Sequence, residues 1–383
     1  MLPTLKTIVF CTLLATGSTT ASRVYGQGGN FATNTVNMGG ISATTLSGST
    51  EITLDSSGGL YVCDTYNHRV LYFATGSTTA SRVYGQGGNF ATNTENKGDI
   101  SAPSNFPPPP PPSPVPSATS LNFPYSATVD SSGGLYVADS DNNRLLYFAT
   151  GSTTVSRVYG QDGNFATATE NMGGISATTL SGSNDVKLDS SGGLYVCDTY
   201  NRRVLYFATG STTASRVYGQ GGGFTTNTRN LGGISSTSLN EPFGVTLDSS
   251  GGLYVADQYN SRVLYFATGS TTASRVYGQG NVFTTMTNNK GGISATSLNS
   301  PTGVTLDSSE GLYVSDLNRV LYFATGSTTA SRVFGQDGNF TSNTQNKGGI
   351  SATSLYIPFN VALDSSGGLY VPDTLNHRVL YYV

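Results

Sequence analysis

The residues best suited to chemistry recur at fixed spacing. Asp64, Asp139, Asp198, Asp257, Asp316 and Asp373 each follow a Leu-Tyr-Val core, and an arginine follows each at short range: Arg69, Arg144, Arg203, Arg262, Arg319 and Arg378. Six carboxylates on one ring could hold a cation, but one guanidinium per carboxylate leaves the ring neutral. These residues read as structural Asp–Arg loops that order a turn. Zinc needs three or four ligands. His68 and His377 are the chain's two histidines, and at their repeat position other copies carry Asn143, Arg202 and Ser261. No GxSxG elbow and no Cys–His spacing stands out, so no catalytic residue, metal or cofactor is expected.

The glycine-rich GQGGNF segments could suggest a phosphate cradle. They follow a strand and precede no helix, so the N–H groups that bind phosphate at a helix start are missing; flexibility of a loop is the reading. Positions at which the copies differ say more. Just before the first strand of each copy stand Glu51, Ser126, Asp185, Gly244, Gly303 and Asn360, and Lys187 replaces the Thr or Ala of other copies. Glu51, Asp185, Lys187, Asn360 and Ser126 are the ligand-binding candidates, at the solvated mouth of a central channel.

The elements that position these residues come from a repeat. The Leu-Tyr-Val-x-Asp cores are spaced 75, 59, 59, 59 and 57 residues apart, and six copies of SRV(Y/F)GQ lie 59, 75, 59, 59 and 57 residues apart. A unit this small cannot bury its own core and must stack on its neighbours. Blade one predicts four strands, Ile52–Asp55, Leu60–Cys63, Arg69–Phe73 and Ser81–Tyr84, rich in Val, Leu, Tyr and Phe and bounded by Gly, Asn, Asp and Ser. DSSGG reads as a hairpin turn. Four antiparallel strands in six units make an all-β, six-bladed propeller. The last unit lacks a fourth strand while Ser22–Gln27 is a spare one, so the N-terminal strand should join the last blade and close the ring. Long connections with a shared GGIS element should be anchored by Ile41 and Leu46 and share one face with the Asp–Arg loops.

Composition narrows the classes. A net charge of −3, from 19 Lys+Arg against 22 Asp+Glu, gives no electrostatic reason to bind nucleic acid or an anionic membrane. No 18-residue apolar run predicts a membrane span, and a monomer is expected. Cys63 and Cys197 share one repeat position and read as small buried hydrophobes. Residues 1–21 resemble a short signal peptide, which would place the protein outside the cell, with the cytoplasm as the alternative. Residues 22–383 form one propeller with a proline-rich insert at 103–116. Within the insert Phe106, Pro107, Pro108, Pro109 and Pro110 resemble a ligand of EVH1 domains, and the run, which favours polyproline II, also resembles profilin and SH3 ligands; a solvated low-complexity insert is the leading reading.

Asn240-Glu-Pro-Phe-Gly-Val-Thr-Leu-Asp-Ser-Ser-Gly-Gly-Leu-Tyr-Val-Ala-Asp257, followed by Asn260-Ser-Arg-Val-Leu264, resembles the NHL repeat. Copies one and six spell Asn67-His-Arg-Val-Leu71 and Asn376-His-Arg-Val-Leu380. The resemblance implies a six-bladed propeller and leaves function open, because such propellers bind proteins or RNA, act as sensors, or serve as lyases. A non-enzymatic module recognising a protein or glycan through the loop-rich face is the leading expectation. The alternatives are a lyase- or lactonase-type enzyme at the channel mouth and an intracellular protein- or RNA-binding module.

Overall fold

A computed structural model describes residues 18–97 and 116–383. Residues 1–17 of the signal-like stretch and most of the proline-rich insert, including Phe106 and Pro107 to Pro110, lie outside the described residues. The described chain forms six four-stranded antiparallel sheets. In blade one the strands are Ser49–Leu54, Leu60–Asp64, Arg69–Phe73 and Arg82–Tyr84, ordered from the channel outwards.

The second strand, LYVCD, is buried at every residue. An isolated antiparallel strand would alternate, but this sheet is covered on both faces by neighbouring blades. Each hydrophobic cluster is therefore shared: Tyr61, Cys63 and Val70 of blade one pack with Ala127, Leu135, Val137 and Leu146 of blade two. Burying each such Leu or Val is worth about 1.5–3 kcal/mol, and that stabilisation exists only once two units meet. Cys63 and Cys197 are fully buried in two such clusters and free of disulfides. Burial pushes both thiols well above their ordinary pKa.

Ring closure occurs as expected. Arg23–Gly26 pairs antiparallel with Arg378–Tyr382, in the register Arg23↔Tyr381 to Gly26↔Arg378. Val24 and Tyr25 are buried in the last two seams of the ring. The DSSGG hairpin is an Asx-turn: Asp55 Oδ1 accepts the N–H groups of Ser57 at 2.9 Å and Gly59 at 2.8 Å. A Cβ on Gly59 would lie 2.4 Å from the Tyr72 hydroxyl, so the second glycine is needed for close approach.

Two loop expectations are corrected. Leu46 is a buried anchor, but Ile41 is only half-buried, and Ala43 packs against the core in its stead. The GQGGNF segment is not a slack loop. Gln86 is buried; its Nε2 donates to the Thr94 carbonyl at 2.7 Å and the His68 carbonyl at 3.2 Å, and its Oε1 accepts the Thr94 N–H at 2.9 Å. One amide thus closes an eight-residue loop and ties it to its own blade.

Candidate functional site

The Asp–Arg loops build the face on which the long connections lie. Asp64 accepts from Arg69 Nε at 2.7 Å, Asn67 Nδ2 at 2.8 Å and the Ser47 N–H at 2.6 Å. Arg69 then donates to the carbonyls of Ser42 and Thr45 in the connection before it, both at 3.0 Å, and to Phe90 in the connection after it at 2.5 Å. Each arginine therefore clamps two successive loops. Blades two, three, four and six repeat the arrangement, and Arg378 extends it to Phe31, tying down the N-terminal loop. Blade five has two residues fewer in its turn. Arg319 reaches Asp316 across three positions, and the asparagine that elsewhere pairs with an asparagine of the long loop is missing. All twelve side chains are buried, so the pairs are structural, and removing one partner should cost about 3–5 kcal/mol.

The histidines do not meet. His68 Nδ1 accepts the Phe123 N–H at 3.2 Å and His377 Nδ1 accepts the Gly48 N–H at 3.1 Å, each across a different blade seam. Asn143 and Asn318 make the same bond to Gly182 and Ile357 through their side-chain oxygens, and Ser261 makes it to Ser300 through its hydroxyl. The position is a seam acceptor. Burial lowers both histidine pKa values, as an acceptor nitrogen requires. Among the described residues no three His, Cys, Asp or Glu side chains converge as a metal site would need.

The five ligand-binding candidates converge on one layer inside the channel. Lys187 Nζ lies 2.7 Å from Glu51 Oε1 and 3.2 Å from Asp185 Oδ1. Asp185 Oδ1 also accepts the Ser126 hydroxyl at 2.7 Å, and its Oδ2 accepts the Val245 N–H at 2.8 Å. Asn360 Nδ2 donates to Glu51 Oε2. Blades one, two, three, four and six are joined by this network. The layer is not a solvated edge: Glu51 and Asp185 are 3% and 1% exposed. Burial raises the Glu51 pKa, against the pull of Lys187 and Asn360. Burial works against charge on Lys187 too, but Asp185 and Glu51 outweigh it and raise its pKa. The remaining void, beneath Tyr125, Phe243 and Phe359, is about 10 Å³, room for one water.

Sequence reasoning missed what lies directly above. The residues preceding the candidate positions are Thr50, Tyr125, Asn184, Phe243, Thr302 and Phe359, aromatic in every second blade. Their rings meet across the axis at centroid distances of 5.7 Å (Tyr125–Phe243), 6.1 Å (Tyr125–Phe359) and 5.3 Å (Phe243–Phe359). The trio roofs the polar layer. Gly244 and Gly303 let blades four to six draw together below it, since a Cβ on either would lie 2.5 Å from the next blade's backbone. Around the roof the turns after the second strands present Tyr66, Tyr200 and Tyr259, at 39%, 52% and 52% exposure. Tyr66 joins this surface by an edge contact to Phe123 at 5.8 Å. Blade two contributes Asp141 at the tyrosine position; burial, then Asp139 and Glu95, push its carboxyl up to about 6.

Sheet order, turn chemistry and the Asp–Arg loops now stand beside a sequence comparison. The NHL repeat family model matches residues 50–73, 121–148 and 239–266, which are the first three strands of blades one, two and four. The chain is an NHL-repeat protein. Comparison with curated protein sequences finds no match. Among solved structures, this NHL propeller is similar to a protein of unknown function from Bacteroides thetaiotaomicron: TM-score 0.54 and 12% identity over 89% of this chain and 70% of that one. It is also similar to virginiamycin B lyase from Staphylococcus aureus, with TM-score 0.44 and 13% identity over 85% and 77% of the two chains. A putative gluconolactonase aligns with TM-score 0.49 and 12% identity over 95% and 96%. The first is a likeness of fold alone, and the other two add nothing to it about activity. No helix among the described residues is long and apolar enough to cross a membrane.

Proposed function

We propose that this NHL propeller is a non-enzymatic recognition module that binds a glycan on the tyrosine-lined mouth of its channel. The observation that carries the reading is the half-buried roof of Tyr125, Phe243 and Phe359 ringed by the exposed Tyr66, Tyr200 and Tyr259. Tyrosine offers a rigid flat surface at low entropic cost, together with a hydroxyl that pairs with a polar ligand. Such a surface suits the alternating apolar faces and hydroxyl edges of sugar rings. Glu51, Asp185, Lys187, Asn360 and Ser126 act as its rigid charged floor, holding the first strands of blades one, two, three, four and six in one geometry. A secreted location fits this role.

The test is to screen the full chain against soluble polysaccharides by affinity electrophoresis, beside a Tyr66→Ser/Tyr200→Ser/Tyr259→Ser variant. Retardation by a glycan, weakened at least tenfold in a variant with an unshifted melting temperature, is the expected result. No retardation by any glycan, or retardation that the variant keeps, refutes the reading. A protein captured on the same face in place of a glycan refutes it equally.

A further inference from the structure

The chain has 14 arginines. Six sit in the buried Asp–Arg loops, and six more, on the outermost strands, lie over a tyrosine ring of their own blade with Cζ 5.3–5.8 Å from its centroid. Two remain, Arg202 and Arg229, and both line one pocket of about 460 Å³ between blades three, four and five, with Tyr259, Asn240, Asn288 and Ser300.

Arg202 occupies the seam-acceptor position. In five blades that residue accepts an N–H of the next blade; a guanidinium has no lone pair to offer. Blade three gives up a seam hydrogen bond to place a cation here, and a local rule broken in one copy of a near-perfect repeat marks a site with another task. Arg202 Nη1 donates to the carbonyls of Tyr200 at 2.8 Å and Asn227 at 3.2 Å, which hold the side chain. Its Nε is buried without a partner, and Nη2 stands 3.9 Å from Glu241, beyond hydrogen-bond reach. Arg229 is exposed, its Nη2 near the Met286 sulfur at 3.7 Å. Two arginines against Glu241 leave the pocket with net positive charge in a protein whose overall charge is −3.

We propose that this pocket is a subsite for an acidic sugar, its carboxylate on Arg202 and Arg229 and its ring on Tyr259. Arginine suits a carboxylate because its fork matches the two oxygens, and Asn240, Asn288 and Ser300 supply amides and a hydroxyl for the ring hydroxyls. The subsite deepens the glycan reading by naming a class, the uronates.

The experiment titrates a galacturonate oligomer into the full chain by calorimetry at low and moderate salt. The same titration is run with the methyl-esterified oligomer, a neutral glucan oligomer and an oligoglutamate peptide. Binding of the acid at least tenfold tighter than the ester, the glucan and the peptide, about 1.4 kcal/mol, and weaker in salt, is expected. Arg202→Ser and Arg229→Ser should each remove that preference. Arg202→Ser should melt no lower than wild type, because Ser261 already serves as a seam acceptor. No binding of the acid, equal binding of its ester, unchanged affinity in both variants, or a peptide that binds as well overturns the subsite. If the glucan alone binds, and Tyr66→Ser/Tyr200→Ser weakens it, the subsite falls while the glycan reading stands.

Discussion

Replacing Lys187 by Thr should destabilise the propeller, although Thr is the residue that blades one, two, four and five carry at this position as Thr53, Thr128, Thr246 and Thr305. In those blades the neighbouring position two residues earlier gives the cation nothing more than Glu51 to serve; here Lys187 bridges Glu51 and Asp185. Without it, Asp185 keeps the Ser126 hydroxyl and the N–H groups of Val186 and Val245. Glu51 keeps only the Asn360 amide. A buried carboxylate so stranded takes up a proton. Burial already raises the Glu51 pKa to about 8 with Lys187 in place, so near pH 7 the wild type and the variant alike hold Glu51 largely protonated, and removing the cation raises that pKa further. Because the folded-state pKa lies above the unfolded one, the stability tied to Glu51 is complete below about pH 4.5 and is lost as pH rises through the folded pKa. The wild type stops losing it near pH 8, and the variant does not. Urea unfolding should therefore show a variant deficit that widens by about 1.4 kcal/mol per pH unit above about pH 8, with the midpoint shifting and the slope unchanged. Adding Glu51→Gln should remove that widening. A deficit in Lys187→Thr that is the same at pH 7 and pH 9 would refute the picture of a dry, charge-compensated layer.

Two further outcomes follow from the ring. Removing residues 1–27 deletes the fourth strand of blade six with Val24 and Tyr25, about 1.5–3 kcal/mol of burial each, and exposes an open edge. A large fall in melting temperature and concentration-dependent light scattering are expected, and a truncated chain that melts like the intact one would contradict the closure. His68→Asn/His377→Asn should keep neutral-pH stability, since Asn143 and Asn318 already serve as seam acceptors. Because burial lowers both histidine pKa values, their share of wild-type stability is present above about pH 6.5 and lost as pH falls below it. A shallower acid limb in thermal melts of the variant is the expected sign, and superimposable limbs would count against it.

Most of the fold was legible because its signals are local and repeated: Leu-Tyr-Val strands, the DSSGG turn and a spare SRVYGQ strand. The buried clamp by Arg69 was legible only in part. Its pairing with Asp64 lies within five residues, but its three carbonyl partners lie 21 to 27 residues away. The polar layer was found because Glu51, Asp185 and Lys187 break the repeat, yet its burial was not, since ring geometry, not the local chain, decides what faces the axis. The roof escaped for the same reason: Tyr125, Phe243 and Phe359 become one surface only when alternate blades converge. Gln86 was hidden by the glycines beside it. Arg202 and Arg229 needed only a count of arginines against the two repeated roles.

Ala15–Thr35 and Ala74–Thr94 are identical over 21 residues. Both contain a fourth strand, and the two strands have unequal tasks. Arg82–Tyr84 completes blade one against the strand just before it, with Leu71↔Val83 in register. The N-terminal copy must find a partner 359 residues away, as in Ser22 to Tyr381. Contacts over so long a separation form slowly, so the closure of blade six is expected to lag the pairing of strands adjacent in sequence and to leave its edge open meanwhile. The same strand from a second molecule fits that gap atom for atom. At high concentration the ring can therefore be completed in trans, giving domain-swapped dimers or chains whose every blade is native.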